Sequence, residues 1–208
     1  MTAEAEQYRS VLIFGPPGSG KGTQGRILNS IPGFVHVSSG DMFRELDPNS
    51  DLGRVFLDYS SRGELVPDDV TIRLWQHHMG RLVGTNRFDP ERDTLILDGI
   101  PRSRHQAQML DGQIRVRLLL HLCAADEEHM LKRIRRRALQ ENRLDDANPE
   151  VVRRRFREYE AETKPVLDYY PTDLVRAIDA GAAPLEVLRQ VVEVLQVMLF
   201  PETLQHAT

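Results

Sequence analysis

One stretch restricts the fold more than any other. "SVLIF" (10–14) is a short, continuous apolar run, and "GPPGSGKGTQ" (15–24) follows it directly. A brief apolar run closed by glycine reads as a buried strand. Gly15, four residues, Gly20 and Lys21 then give the spacing of a phosphate-binding loop between a strand and a helix. The glycines, Gly15, Gly18, Gly20 and Gly22, let main-chain N–H groups converge on phosphate oxygens without Cβ clashes. A helix N-terminus adds positive field, and Lys21 adds a full charge for the β- and γ-phosphates. One detail departs from the common form. Gly22 follows the lysine where a hydroxyl residue is usual, and Thr23 comes one place later, within the first helical turn. An ordinary Gly/Pro turn is the plain alternative, but it leaves the coincidence of strand, glycines, lysine and helix unexplained. Lysine is also scarce: of 27 basic residues only Lys21, Lys132 and Lys164 are lysines.

The rest of the chain extends this pattern. Short apolar runs at 10–14, 34–38, 93–99, 114–122 and 173–179 alternate with longer amphipathic ones. That alternation predicts an α/β, three-layer fold, a five-stranded parallel sheet flanked by helices, and the glycine loop after its first strand makes it a P-loop NTPase fold. Helices are expected over 68–83, with Val70, Leu74 and Met79 near one face, and over 126–140 and 184–199. Another is expected over 148–170, opened by Asn148-Pro149 and kinked or ended at Pro165. Two segments break the alternation, 39–67 with several short helical pieces and 138–147 with a polar connection. Both read as inserts on a rigid sheet. With 208 residues and 40% hydrophobic content the chain suits one domain over 1–208.

Composition narrows the function classes. A net charge of −4 argues against a global nucleic-acid partner. The single cysteine, Cys123, excludes an internal disulfide and a multi-cysteine zinc site. No apolar stretch reaches membrane-spanning length, and "MTAEAEQYRS" is neither a signal nor a transit peptide, so a cytoplasmic protein is expected.

Five further motifs turn the loop into a resemblance. These are "SSGDMFRE" (38–45), "GELVPDD" (63–69), "DGIPRSRHQ" (98–106), "RLDD" (143–146) and "KPVLDYY" (164–170), together with "GPPGSGKGTQ" itself. They cover almost the whole chain, and they resemble the adenylate kinases, whose loop reads GxPGxGKGTQ; the related UMP/CMP kinases share it. Glycine after the lysine is thus a mark of the family. The resemblance implies a monomeric nucleoside monophosphate kinase of the short-lid form, with 39–67 as the acceptor-binding insert and 138–147 as the lid. Its reaction would be MgATP + AMP ⇌ 2 ADP. ATP, AMP and ADP would be its ligands.

Site residues follow from the same resemblance. Gly15, Pro17, Gly18, Ser19, Gly20, Lys21, Gly22 and Thr23 would cradle the ATP phosphates. Arg133 would stack on the ATP adenine, which the main chain near Ala183 would also touch. Arg44 and Arg102 would clamp the acceptor phosphate by forked, charge-assisted bonds. Ser39 and Gln106 would read the acceptor base, with Gly40, Glu64, Leu65, Val66 and Gly99 around it. Arg137, Arg143 and Arg154 would hold the transferring phosphoryl group, the last two also reaching the acceptor. The neighbouring Arg135, Arg136, Arg153, Arg155 and Arg157 are left as solvated surface. Asp98, and Asp41 in the same shell, would bind Mg²⁺ through water, with Thr23 as a further ligand. Asp145 and Asp146 would hold arginines or ribose hydroxyls. The lid lacks the four metal ligands of longer-lid relatives, so no zinc is expected.

Departures bear on the acceptor base. Ile100 stands where the family usually has an aromatic residue, and "RELDPNSDLG" (44–53) is about one residue shorter than usual. UMP/CMP kinases typically carry asparagine directly after the "DGxPR" arginine; Ser103 stands here. AMP is favoured. A pyrimidine acceptor, a non-catalytic nucleotide sensor and an arginine-helix RNA-binding module are the alternatives.

Overall fold

Successive apolar side chains of the strands point to opposite faces, and helices cover both faces of the sheet they build. The computed structural model describes residues 7–123, 126–141, 146 and 148–200. Its strands are β1 (Tyr8–Phe14), β2 (Phe34–Ser38), β3 (Thr94–Asp98), β4 (Ile114–Cys123) and β5 (Val175–Asp179). They form one parallel sheet in the order β2-β3-β1-β4-β5. On one face Leu12, Phe14, Leu95, Leu97 and Leu119 pack with Ile72, Trp75, Met79 and Phe88. On the other, Val11, Ile13, Ile96, Leu118, Leu120 and Leu122 pack with Leu28, Val187, Val191 and Leu195.

The helices are α1 (Lys21–Leu28), α2 (Ser39–Arg44), α3 (Asp51–Arg62), α4 (Asp68–Gly84), α5 (Arg104–Leu110), α6 (Glu127–Glu141), α7 (Pro149–Glu158) and α8 (Pro184–Leu199). Among the described residues, no helix is long and apolar enough to cross a membrane. The α4 stripe differs from the expected one. Thr71, Ile72, Trp75, Met79 and Leu82 are buried, whereas Val70 and Leu74 are only half-buried. Trp75 decides the rotation, because its large ring fills the core beneath Tyr8 and Phe88. The short helix α5 was not among the helices expected from the sequence.

The helix expected over 148–170 is one helical path in three geometries. After α7 comes a π-helical turn (Tyr159–Thr163), then a 3₁₀ segment (Lys164–Tyr169). Pro165 lacks an N–H, so the regular ladder cannot run through it, and the turns around it change their hydrogen-bond spacing. Val152, Phe156, Tyr159 and Val166 remain on the buried side throughout.

Residues 39–67 carry α2 and α3. Ser50 caps α3, accepting from the Gly53 N–H at 3.0 Å, and Gly63 ends it in the left-handed region at φ 71°. A Cβ on Gly63 would stand 2.7 Å from the Val151 carbonyl oxygen, so the end of α3 lies directly on α7. The expected lid, 138–147, overlaps the end of α6; residues 142–145 and 147 lie outside the described residues.

Gly25 is a second tight position, buried on α1, where an added Cβ overlaps the His36 ring. That ring is itself only 7% exposed and has little room to withdraw. Gly25→Ala should therefore lower stability by about 1–3 kcal/mol. A thermal melt of the variant checks it; an unchanged midpoint contradicts the packing.

Candidate active site

Parallel strands place all their carboxyl ends at one edge, where α/β sheets bind ligands. The loop after β1 lies there. Gly18 and Gly20 are left-handed at φ 80° and 99°, which side-chain-bearing residues rarely adopt. Lys21 Nζ donates to the carbonyl oxygens of Gly15 at 2.6 Å and Pro16 at 3.0 Å. Burial lowers the Lys21 pKa from 10.5 to about 8; Asp98 opposes the shift, and Arg102, Arg155 and Arg137 add to it. The Ser19 hydroxyl is buried inside the same loop with no hydrogen-bond partner. A buried orphan hydroxyl in a glycine cradle fits a loop that takes phosphate oxygens.

Two adjoining cavities open beside the loop. The first is lined by Gly15, Ser39, Phe43, Phe56, Glu64, Leu65, Val66, Gly99 and Gln106 among others. The second is lined by Gly18, Gly20, Gly22, Thr23, Asp41, Asp98, Arg133, Arg136 and Arg137. Their common wall carries Pro17, Gly40 and four cations: Lys21, Arg44, Arg102 and Arg155. Four positive groups where two cavities meet make a place for shared polyanionic groups.

The first cavity is walled by the end of β1, by α2 and α3, and by the segments that follow α3 and β3. Ser39 Oγ donates to the Gly99 carbonyl at 2.6 Å and accepts from Arg102 Nη2 at 3.2 Å. Arg102 Nε also donates to the Gly99 carbonyl, at 2.8 Å. Arg44 pairs with Asp41 one turn earlier. Phe43 and Phe56 stack with ring centroids 5.1 Å apart and planes 8° apart, giving the cavity a flat apolar wall. Ile100 is 1% exposed in the sheet core, so its packing role survives the loss of an aromatic ring. Tyr159 lines this cavity too, and its hydroxyl meets His121 Nε2 at 3.0 Å.

Helices α6 and α7 bring the arginines, and here the structure changes one assignment. Arg155 lies on the wall of both cavities, whereas Arg154 lies on neither. Arg154 Nη2 instead reaches Glu64 Oε1 at 2.6 Å, with its side chain 42% exposed. Helix phase is the reason. Arg155 is three residues after buried Val152 and four before buried Tyr159, so it shares their face; Arg154 is rotated about 100° away. The same stripe was visible in the sequence, but counting eleven residues from Arg143 pointed one position too early. Asp146, with a fully buried side chain, accepts from Arg137 Nε at 3.0 Å and also pairs with Arg155. Arg133 Nη1 donates to the Ala180 carbonyl at 3.2 Å. Ala183 caps α8, outside the lining of either cavity. Arg136, first read as surface, lines the second cavity. Arg143 and Asp145 lie outside the described residues.

Asp98 closes β3 at the same edge and is 7% exposed. Burial works against its ionisation, but the His36 ring and the charges of Lys21 and Arg102 outweigh that and hold its carboxyl below the usual range. His36 Nε2 is 3.7 Å from Asp98 Oδ2, too long for a hydrogen bond, and has no other partner. Among the described residues no group of three or more His, Cys, Asp or Glu side chains could hold a metal by itself. An ionised carboxylate facing a phosphate cradle, with Asp41 and Thr23 on the same cavity, fits a hard cation held mainly by phosphates and water. His36 carried no motif in the sequence; only the fold brings it to the site.

Comparison with known proteins bears on the family. The adenylate kinase family model matches residues 13–175. An adenylate kinase of Thermobifida fusca is 36% identical over 187 residues, covering 86% of this chain and 94% of its own. One from Thermus thermophilus is 35% identical over 189 residues, covering 88% and 95%. One from Flavobacterium psychrophilum is 29% identical over 195 residues, covering 89% and 97%. Phosphate loop, sheet order and a match over most of its length place the chain in the adenylate kinase family, a family of phosphotransferases.

Proposed function

We propose that the protein transfers a phosphoryl group reversibly from MgATP to AMP, giving two ADP. The carrying observation is the common wall of the two cavities, with Lys21, Arg44, Arg102 and Arg155 on it. In this reading the loop and Arg133, Arg136 and Arg137 face the donor. Arg44 and Arg102 grip the acceptor phosphate, and the flat wall of Phe43 and Phe56 takes its base. The bond from the γ-phosphorus to the β–γ bridging oxygen breaks as an acceptor phosphate oxygen bonds to that phosphorus. The acceptor is already ionised, so no general base is needed. Arg137, Arg155 and Lys21 compensate the charge on the transferred group; most of the barrier reduction is positioning and electrostatics. Asp98 and Asp41 would hold Mg²⁺ through water, and the cation would neutralise charge on the donor phosphates. Arg143, which the resemblance brings to the same place, is included in the proposal.

A panel of AMP, UMP, CMP and GMP with MgATP, followed by ADP formation, tests the acceptor. AMP should be used best, and Arg102→Ala should abolish most of the turnover. Preference for a pyrimidine overturns the acceptor assignment, and no turnover with any of the four overturns the enzyme reading. Two neighbouring variants test the arginine assignment. Arg155→Ala should lower kcat by about 10²-fold or more. Arg154→Ala loses a half-exposed ion pair and should cost less than about fivefold. Equal losses at the two positions would contradict it.

Lys21 gives a pH signature. Its pKa in the free protein is about 8, below the ordinary 10.5, because burial disfavours the charge. Bound phosphates favour that charge and raise the pKa again. Binding should then take up a proton in the window above about pH 8, and ATP affinity should fall as pH rises through it. Calorimetry at about pH 9 in two buffers of different ionisation enthalpy reads the uptake. Lys21→Met should remove it; uptake that persists would assign the proton elsewhere.

A further inference from the structure

Gln106 lines the first cavity, is 1% exposed, and has its carboxamide held at both ends. Its Oε1 accepts from the backbone N–H of Arg102 at 2.7 Å. Its Nε2 donates to Asp68 Oδ1 at 2.8 Å. The other carboxylate oxygen of Asp68 accepts from the Ser103 hydroxyl at 2.7 Å. That hydroxyl caps α5 by accepting the Gln106 N–H at 3.0 Å.

Each partner of the amide has a single role. A backbone N–H only donates, and a carboxylate only accepts. The nitrogen and oxygen of Gln106 therefore cannot exchange places. A carboxamide offers two N–H donors and two oxygen lone pairs. Arg102 and Asp68 consume one of each, which leaves one donor and one acceptor in a fixed order.

That order matters for a purine. Adenine presents the N1 acceptor beside a 6-amino donor. Hypoxanthine and guanine present an N1–H donor beside an O6 acceptor, the reverse arrangement. An amide free to turn over could serve either edge; a locked one serves only one. The other side chains around the base end offer little competing discrimination. Phe43 and Phe56 present ring faces. The hydroxyls of Ser60 and Thr71 donate to the carbonyls of Leu57 at 3.3 Å and Val66 at 3.4 Å.

We infer that Asp68 is a positioning residue that sets purine specificity by locking the Gln106 amide, with Ser103 holding the carboxylate. Asp68 does not itself line the cavity and acts through Gln106. The inference rests on the reading of the first cavity as the AMP site.

IMP is the decisive probe, because it matches AMP in size and reverses the edge. The full-length protein with saturating MgATP is assayed with AMP and with IMP as wild type, Asp68→Ala, Asp68→Asn and Ser103→Ala. Wild type should prefer AMP. Asp68→Ala removes a charge-assisted hydrogen bond and should narrow the AMP-to-IMP ratio of kcat/KM by about tenfold or more. The change should fall on the acceptor KM, with the MgATP KM unmoved. Asp68→Asn keeps an acceptor oxygen for Gln106 and should recover most of the ratio. If Asp68→Ala does not fold, Ser103→Ala carries the test and should narrow the ratio by a smaller factor. An unchanged ratio, or equal weakening of AMP and IMP, overturns the role of Asp68. A wild-type preference for a pyrimidine overturns the AMP reading, and this inference with it.

Discussion

Mutual repulsion among clustered cations is the force the site must overcome before any substrate binds. Lys21, Arg44, Arg102 and Arg155 share one wall, with Arg133 and Arg137 behind it. Buried or half-buried acids hold them there. Asp146 sits between Arg137 and Arg155, Asp41 pairs with Arg44, and Asp98 faces Lys21. A carboxylate as buried as that of Asp146 would be severely destabilising alone; between two guanidinium groups it becomes the brace that joins α6 to α7. The sheet supplies the rest, because parallel strands deliver the loop, Ser39, Asp98 and Gly99 to one edge.

Much of this was legible in the sequence, for physical reasons that differ from element to element. The strands announce themselves because a doubly covered parallel sheet needs apolar side chains on both faces, as "SVLIF" and "RLLLHL" supply. The loop is legible because only glycine tolerates its backbone, as φ 80° and 99° at Gly18 and Gly20 confirm. Helix α8 matches its expected bounds because Pro184 starts it and its apolar period is uninterrupted. Helix α5 was not legible: seven residues are too few to display a period, and its start depends on Ser103 capping Gln106.

Contacts between distant segments were the least legible part of the site. His36 reaches Asp98 because β2 and β3 are in register at their ends, Ser38 beside Asp98. Nothing near His36 in the sequence signals this. Asp68 meets Gln106 across 38 residues, through the packing of α4 against α5. The one-residue displacement at Arg154 and Arg155 has the same root. Counting along the chain carries over every difference in segment length before α7, whereas the burial phase of Val152, Phe156 and Tyr159 does not.

Arginine, not lysine, supplies nearly all of this positive charge, and guanidinium does not release its proton in any solvent a cell offers. The charge facing the nucleotides is therefore close to a constant, as in an ion-exchange resin, and not a quantity set by buffering. Of the four cations on the common wall only Lys21 can become neutral, and it is the one the fold buries in the glycine loop. A shift in the acidity of the surroundings thus changes the positive charge of that wall through a single ammonium group.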